Sequence, residues 1–214
     1  MKYTYASIDI ETSSLHPSKG QLLELGVVID DLSVKVDRAD LEEYLEQLPK
    51  FHCYKHPNVV GEHYAVSMHN RIWQLLAKES VYRTLSNNLL PEKAIVEERD
   101  VYNYLGKFLK EHGLITDDNN RVTVAGKNVA GFDIPWLKTL SGFNCMDTNY
   151  SGLIYKFSHR TIDPAMLYMK STDKVPPSLD ECLQRAGINK PVDHTAVGDA
   201  LDVIRCLKMS NLYN

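Results

Sequence analysis

Two carboxylates close the first apolar segment of this chain, and they limit what that segment can become. In YASIDIET, the aromatic, small and β-branched residues up to Ile10 predict a β-strand, with Asp9 and Glu11 at its end. Residues i and i+2 of a strand face the same side, about 6.5–7 Å apart along the backbone, so both side chains can converge. Two charges ~5 Å apart repel by roughly 3 kcal/mol at an effective dielectric near 20. The fold must therefore hydrate the pair, share a proton between them, or bind a divalent cation.

The composition of the chain is that of an ordinary globular protein. It has 214 residues, of which 43% are hydrophobic and 24% charged, and its net charge is −4 at pH 7. This length predicts a single domain over residues 1–214 with one sizeable core. Because the net charge is negative, a nucleic-acid site in this chain depends on local cations or on bound metal.

The cysteines and the hydropathy predict a cytoplasmic protein. The cysteines are Cys53, Cys145, Cys182 and Cys206. They form no CxxC pair, and their wide spacing fits reduced, buried thiols better than a disulfide framework. No charged-then-apolar leader opens the sequence and no apolar run approaches ~18 residues, so we expect neither secretion nor a membrane span.

The order of the predicted elements indicates an α/β fold with a mixed sheet. Apolar or alternating runs predict strands over Tyr3–Ile10, Leu22–Ile29, Phe51–Tyr54, Arg121–Asn128 and Arg160–Asp163. Periodicity and capping residues predict helices over His63–Leu76, Val96–His112, a stretch opened by residues 131–135, Ser178–Ala186 and Thr195–Leu212. Because strands come first and helices join the later ones, we expect antiparallel early strands within a mixed sheet.

A third acidic position lies in GKNVAGFDIPWL, residues 126–137. Asp133 falls in the first turn of a helix that follows a strand, where the helix dipole stabilises a carboxylate by ~0.3–1 kcal/mol without any ligand. Phe132 and Trp136 beside it fit either the core or a base-stacking surface. The segment alone leaves Asp133 either as a dipole-stabilised carboxylate or as a ligand.

The C-terminal segment DHTAVGDALDVIRCL places a fourth acid on an apolar helix flank. At about 100° per residue, Asp199 lies within about 60° of Val203 and Cys206. A lone carboxylate there is costly unless it is paired or ligated. Asp202 and Arg205, at i and i+3 on the adjacent flank, predict a solvated ion pair.

A histidine stands at the start of the same helix. His194 lies at or before the N-cap, where the positive helix end disfavours the imidazolium form. The ring would then be neutral and able to take a proton. Taken by itself, this histidine fits a surface or capping residue equally.

Together, the three segments resemble the motifs of the DEDD superfamily of 3′–5′ exonucleases, which have a ribonuclease H-like fold. DIETSSL is similar to the first motif (DxET followed by Leu), NVAGFDIPWL to the second (Asn, four residues, Asp) and HTAVGDA to the third. In the third, histidine precedes aspartate by five residues, as in the histidine (DEDDh) branch, whereas the tyrosine branch has Tyr where this chain has Thr195. The resemblance covers nearly the whole chain, from residue 3 to about residue 210.

The resemblance implies a metal-dependent exonuclease site on a ribonuclease H-like mixed sheet flanked by helices. Asp9, Glu11, Asp133 and Asp199 would hold two divalent cations, Mg²⁺ or Mn²⁺, because these ions prefer hard oxygen ligands. His194 would act as the general base for the water that attacks the terminal phosphodiester.

Further positions acquire candidate roles from the same resemblance. Thr12 and Leu15 would lie next to the 3′-terminal nucleotide, and Asn128 matches the asparagine of the second motif. Phe132 is a further substrate-binding candidate through its ring. Asp163 matches a frequent acidic residue after a later strand and would support a ligand without binding the metal itself.

The implied substrate is nucleic acid with a free 3′ end, single-stranded, from which nucleoside monophosphates are released. DNA is slightly favoured over RNA, and an oligoribonuclease or another RNA-trimming enzyme of the branch is the alternative, because a few sugar contacts distinguish the 2′-hydroxyl. Ser13-Ser14 departs from the family's frequent Thr-Gly, and residues 141–158 match no family segment and are expected to be irregular. His69 follows Ala65 in an Ala-x-x-x-His pattern that suits a substrate neighbour or a packing residue. A homodimer or a partner protein is left open.

Two other classes of protein share part of the pattern. A haloacid-dehalogenase-like phosphohydrolase opens with DxDx[TV], close to DIET, and its later GDxxxD motif echoes GDALD. That class has Asp where Glu11 stands, and it leaves Asp133 and His194 without a role. A non-catalytic nucleic-acid-binding module of the same fold is the second, although all the acids and the histidine are present.

Overall fold

A six-stranded mixed sheet forms the centre of the part of the chain that the structure describes. The structure is a computed structural model and describes residues 3–55, 67–77, 94–96, 98–116, 121–140, 156–192 and 194–213. The strands are β1 (Thr4–Thr12), β2 (Leu22–Asp31), β3 (Lys50–Lys55), β4 (Ala94–Val96), β5 (Val122–Ala125) and β6 (Phe157–Ile162). The helices are α1 (Leu41–Gln47), α2 (Asn70–Ala77), α3 (Glu98–Glu111), α4 (Asp133–Leu137), α5 (Pro164–Tyr168), α6 (Leu179–Arg185) and α7 (Ala196–Lys208), and Arg38–Asp40 and Asn211–Tyr213 are 3₁₀ turns.

The first two strands lie in the middle of the sheet, whose order is β4-β3-β2-β1-β5-β6. β1 pairs with β2 and β2 with β3 in antiparallel fashion. β1 with β5, β3 with β4 and β5 with β6 are parallel. The predicted mixed sheet with antiparallel early strands is therefore confirmed, and the later strands are parallel because longer crossovers return the chain to the same end of the sheet.

β1 alternates between two faces, and this alternation separates the main core from the acidic side. Ile8 and Ile10 belong to the large apolar cluster that also contains the buried residues of α3. Ser7 has the opposite parity, and its Oγ donates a hydrogen bond to the carbonyl oxygen of Ala200 in α7 at 2.8 Å. The two acids of β1 share the parity of Ser7, so they lie on the face that α7 covers.

α7 is anchored on that face by its cap and by its apolar stripe. The hydroxyl of Thr195, the N-cap residue, accepts a hydrogen bond from the Gly198 N–H at 3.1 Å. Ala200, Val203 and Leu207 are buried and pack in a second cluster with residues of β1 and β2. Asp199 is thereby held in the first turn, directly above the sheet.

The predicted ion pair between Asp202 and Arg205 on α7 is present, but it is buried and not solvated. Arg205 Nη1 does lie 2.6 Å from Asp202 Oδ1, but the two side chains are only 10% and 0% exposed. Lys190 Nζ is 2.9 Å from the same carboxylate, and Arg205 Nη2 is 2.6 Å from Glu42 Oε2. Glu42 belongs to α1, a helix that the sequence did not predict and that covers this flank.

Two predicted helices differ in extent from those observed. The helix predicted over Val96–His112 starts at Glu98, because residues 94–96 pair with β3 as the short strand β4. The helix predicted over His63–Leu76 appears in the structure as α2, while its first residues lie outside the described ranges.

The C-terminal half follows the prediction more closely. Ser178 and Glu181 form the predicted capping box at the start of α6. β6 begins at Phe157, inside the stretch expected to be irregular, and residues 141–155 lie outside the described ranges. The last helix ends at Lys208, before the predicted end at Leu212, and a 3₁₀ turn follows.

The cysteines that the structure describes are free thiols, and the helices that it describes do not span a membrane. Cys53, Cys182 and Cys206 are free and buried, as expected, and Cys145 lies outside the described residues. Within the described ranges, every helix is too short or too polar to cross a bilayer.

Gly26 allows α7 to lie directly on the sheet. This residue pairs with Asp9 across β1 and β2. A Cβ at Gly26 would stand 2.3 Å from the carbonyl carbon of Ala196 and 2.4 Å from the nitrogen of Val197. These are backbone atoms of the first turn of α7, so they can give way only if the helix moves. A glycine inside an apolar strand signals such close approach, and the sequence analysis missed it.

We predict that Gly26→Ala lowers the free energy of unfolding by about 1–3 kcal/mol, the usual cost of overpacking. It should also weaken divalent-metal binding, because the displaced helix carries Asp199. Urea unfolding and metal titration by calorimetry measure the two effects. Gly113→Ala is the control: its φ of +73° makes alanine strained there, yet it lies beyond α3, so stability should fall while metal affinity stays unchanged. Wild-type metal affinity in Gly26→Ala would contradict the prediction.

Candidate metal centre

Acidic side chains from β1 and α7 meet where the end of β1 runs beneath the first turn of α7. Among the residues that the structure describes, Asp9, Glu11 and Asp199 each offer a carboxylate oxygen, and these atoms all lie within 4.8 Å of one another. The Asp199 residue is only 9% exposed. Alternation along β1 puts Asp9 and Glu11 on one face of the sheet. The first turn of α7 packs closely on that face and brings Asp199 to them.

Asp133 borders this group from α4. It is the first residue of that helix and is buried, with 3% exposure. Its carboxylate accepts hydrogen bonds from its own backbone N–H and from that of Ile10 in β1. Among the neighbouring charges, that of Asp133 has the largest effect on the pKa of Asp9. The fourth acid is thus coupled to the group through β1.

Burial raises the carboxyl pKa values of Asp9, Glu11 and Asp133. Burial is the largest cause for Asp9, whose pKa is raised well above its ordinary value, and the surrounding acids add to it. Burial and the charge of Asp199 raise the pKa of Glu11 to about 8, partly opposed by Arg71. Burial raises the pKa of Asp133 to about 7 against its backbone hydrogen bonds. A divalent cation would offset this accumulation of carboxylates.

The donor set suits a hard divalent cation. The clustered ligand atoms are carboxylate oxygens from three residues, with neither sulfur nor imidazole among them. Such donors favour Mg²⁺ or Mn²⁺ over Zn²⁺ or copper. The residues present therefore fit the metal that the sequence pattern implies.

His194 lies immediately before the N-cap of α7 and is exposed to solvent. Its φ of +48° is in the left-handed region, which costs a residue other than glycine roughly 1–2 kcal/mol. Strain of this kind concentrates at functional sites, where the surrounding structure holds it. The charge of His194 contributes to lowering the pKa of His69, after the larger effect of burial.

His69 lies directly beside the acids. Its Nε2 is 3.5 Å from Glu11 Oε2, and its ring also hydrogen-bonds to the backbone of Thr12. The residue is 6% exposed, and burial, more than any other cause, lowers its pKa. The sequence left His69 either as a substrate neighbour or as a packing residue, and the structure shows it in contact with the acidic group.

Thr12 and Leu15, the two residues expected near a 3′ end, differ in their exposure to solvent. Thr12 is buried, and its hydroxyl donates a hydrogen bond to the Ser14 carbonyl oxygen at 2.7 Å. Leu15 is 70% exposed. Thr12 therefore shapes the turn, while Leu15 leaves an apolar side chain open to a ligand.

Asn128, Phe132 and Asp163 surround the loop that leads to Asp133. Asp163 Oδ2 accepts a hydrogen bond from the Asn128 backbone N–H, and Oδ1 accepts one from Ala165 N–H, both at 2.9 Å. Asn128 has a φ of +56°, a conformation that asparagine tolerates. Phe132 is half-buried against the main cluster. These residues support the loop that carries Asp133, and none belongs to the close carboxylate group.

A buried ion network beside the acids was missed by the sequence analysis. Glu24 is fully buried and lies opposite Glu11 in the sheet register. His52 Nε2 is 2.5 Å from its Oε1, and Arg71 Nη2 is 2.7 Å from its Oε2. One signal was available: Glu24 interrupts the apolar run LLELGVVI. The partners come from distant segments, which periodicity does not pair.

The architecture is that of the ribonuclease H-like fold, a mixed sheet flanked by helices, and comparison with solved structures agrees. The structure of E. coli exonuclease I in complex with a 5cy-dT13 oligonucleotide matches with a TM-score of 0.58 and 16% sequence identity over 98% of this chain. The crystal structure of the same protein with a dT13 oligonucleotide matches with a TM-score of 0.57 and 16% identity over 96% of this chain.

The likeness to exonuclease I concerns the fold. This chain spans 40% of the length of that protein. No family model and no curated protein matches the sequence. The predicted fold class is thus confirmed by the sheet and by these structural neighbours.

The raised carboxyl pKa values predict how the stability of the metal-free protein depends on pH. A carboxyl group whose pKa is higher in the folded state than in the unfolded chain makes the native state bind more protons, so its contribution to stability is lost as pH rises through the folded value. Between about pH 4.5, the ordinary value, and about pH 8, that of Glu11, the free energy of unfolding should fall. Urea unfolding in a chelator at pH 5 and pH 8 measures this, and Mn²⁺ should restore stability at pH 8.

Two variants assign the effect to the site. Glu11→Gln removes one titrating group, so stability should decline less between pH 5 and pH 8 than in the wild type. Glu111→Gln alters a carboxylate that is 58% exposed on α3 and should leave the wild-type profile unchanged. Equal slopes in wild type and Glu11→Gln would count against the assigned pKa.

Proposed function

We propose that this chain is a metal-dependent 3′–5′ exonuclease of the DEDD superfamily, histidine branch. It releases nucleoside monophosphates from the 3′ end of a single strand, with DNA favoured over RNA. The observation that carries the proposal is the group of three carboxylates within 4.8 Å on a ribonuclease H-like sheet. The exonuclease I neighbours, which are complexes with single-stranded oligonucleotides, support the substrate class.

The proposed roles rest on the motif resemblance, and the geometry of the carboxylate group supports them. Asp9, Glu11 and Asp199, with Asp133 beside them, would hold two Mg²⁺ or Mn²⁺ ions. When bound, such ions supply an activated water and stabilise the departing 3′-oxygen. His194 would take the proton from the attacking water, because it stands exposed next to the helix turn that carries Asp199.

Other groups of the chain would hold the substrate. Leu15, 70% exposed, offers an apolar contact for the terminal nucleotide, and the buried Thr12 shapes the turn beneath it. His69 fixes both the Thr12 backbone and the Glu11 carboxylate. Phe132 is half-buried beside Asp133 and would contact the substrate through its ring.

The phosphohydrolase alternative receives no support from the geometry. Its GDxxxD motif needs the acids at a strand end, whereas Asp199 and Asp202 lie within α7. The Oδ1 atom of Asp202 lies 2.9 Å from Lys190 Nζ and 2.6 Å from Arg205 Nη1, so two basic side chains already compensate the charge of this carboxylate.

A digestion panel tests the function. Single- and double-stranded DNA, long RNA and very short RNA, each labelled at the 5′ or the 3′ end, are incubated with Mg²⁺ or Mn²⁺. Stepwise shortening of 5′-labelled single strands supports the exonuclease. Preference for short RNA identifies the RNA-trimming alternative. Phosphate release from small monoesters identifies a phosphohydrolase, and binding without cleavage identifies a non-catalytic module.

The acids of the centre should be essential for cleavage and dispensable for folding. We expect Asp9→Asn and Asp199→Asn each to lower the rate by about 10³-fold or more, since metal ions contribute several kcal/mol of transition-state stabilisation. The metal-free variants should unfold at the same or a higher urea concentration, because the substitution removes repulsion. Full activity in either variant would exclude the proposed metal centre.

His194 should matter for the rate and not for the metal. We expect His194→Ala to lower the turnover rate by about 10²–10⁴-fold, the usual range for general acid–base catalysis. Metal affinity, measured by calorimetry, should stay at the wild-type value. His159→Ala changes another exposed histidine, on β6, and serves as the control. A collapse of metal affinity in His194→Ala would make His194 a ligand and refute its role as the base.

A further inference from the structure

The buried carboxylate of Glu24 holds a cation next to the acidic group. Glu24 is fully buried, one strand away from Glu11 and directly opposite it. Its two oxygens are engaged separately, Oε1 by His52 at 2.5 Å and Oε2 by Arg71 at 2.7 Å. A buried carboxylate needs such partners, because an unpaired charge in the interior is strongly unfavourable.

Arg71 is fixed in place and yet open to solvent. Its Nη1 donates a hydrogen bond to the Tyr54 hydroxyl at 2.5 Å, and its guanidinium carbon lies 5.6 Å from the centre of the Tyr54 ring. Nevertheless 44% of its side chain is exposed. A guanidinium has five N–H donors in a rigid fork, so contacts with Glu24 and Tyr54 leave donors for an outside acceptor. Most of the entropy cost of ordering this side chain is met before any ligand arrives.

Arg71 lies close to the acidic group at which the substrate would bind. Its partner Glu24 lies directly opposite Glu11 in the sheet register, and Arg71 Nη2 is 2.7 Å from Glu24 Oε2. The same helical segment brings His69 to within 3.5 Å of Glu11. Glu24 and Tyr54 lie one and two strands away from β1, at about 4.8 Å per strand. Through these contacts the guanidinium is held beside the Glu11 end of the acidic group.

We propose that Arg71 is a positioning residue that binds a phosphate of the nucleic-acid strand other than the one being cleaved, and that Glu24 and Tyr54 hold its guanidinium ready for this contact. The inference rests on the proposed function for its substrate class. An anionic strand must approach a site lined by carboxylates, and an ordered guanidinium offers a strong, charge-assisted hydrogen bond to phosphate there.

Two substrates that differ in their phosphates test the proposal. A short oligothymidylate has neighbouring phosphates, whereas the p-nitrophenyl ester of thymidine 5′-monophosphate has only the scissile one. Arg71→Ala should raise KM for the oligonucleotide about tenfold, change kcat by less than about twofold, and leave kcat/KM for the ester within about twofold. It should also reduce the slope of log affinity against log salt by about 0.7, the value for one phosphate contact on a single strand.

Three further variants separate positioning from general stability. Arg71→Lys keeps a cation for Glu24 but loses the fork, so it should give an intermediate KM, and it serves as the test if Arg71→Ala fails to fold. Glu24→Gln should raise KM for the oligonucleotide alone, because it loosens Arg71. Lys107→Ala removes a cation that is 66% exposed on α3 and should change neither substrate's kinetics.

A binding measurement keeps this inference distinct from the proposed function. Anisotropy of a fluorescent oligothymidylate, with Ca²⁺ in place of Mg²⁺, reports affinity without cleavage. If the wild type binds but never cleaves, the exonuclease proposal fails, and a tenfold weaker Kd in Arg71→Ala still supports the phosphate contact. The inference is overturned if the wild type does not bind the strand, if Arg71→Ala and Arg71→Lys bind and cleave like the wild type, or if the ester and the oligonucleotide lose activity equally.

Discussion

The crowding of carboxylates on one face of a β-sheet is the constraint on which the rest of this structure depends. Asp9, Glu11 and Asp199 each place a carboxylate oxygen within 4.8 Å of the others, and the charge of Asp133 raises the pKa of Asp9. Burial removes the water that would otherwise screen them, which raises the pKa values of Asp9, Glu11 and Asp133 and destabilises their ionised forms. A divalent cation would offset both effects, so the feature that weakens the metal-free fold is also the one that would favour metal binding.

The scaffold keeps this arrangement rigid from several directions. The large apolar cluster against α3 fixes the opposite face of β1, and Gly26 lets the backbone of α7 rest on β2. At its far end, α7 is held by a buried pair, Lys208 Nζ at 3.0 Å from Asp30 Oδ2. The Tyr5 hydroxyl donates to the same carboxylate at 2.6 Å. Because the helix is tied at both ends, its first turn cannot move away from the acids without breaking buried polar contacts.

A second group of charged residues, centred on Glu24, lies beside the carboxylate group. Glu24 adds another carboxylate close to the cluster, yet it carries its own compensation in His52 and Arg71. It is thus not an additional ligand but a fixed anion that orders a cation at the edge of the site. Glu24 and Asp202, each paired with basic side chains, hold the framework, whereas Asp9, Glu11 and Asp199 form the close carboxylate group.

The sequence by itself determined the strand that carries two acids, the mixed sheet, the capping box of α6 and the candidate acids, because each depends on periodicity or on residue chemistry within a short segment. Only the tertiary structure decided that α1 buries the Asp202–Arg205 pair, that His69 contacts Glu11, and that Glu24 is paired with Arg71. These contacts join residues far apart in the chain, and their energies depend on burial, which no local pattern encodes. The same holds for Gly26, whose need to be glycine arises from a helix that comes 170 residues later in the sequence.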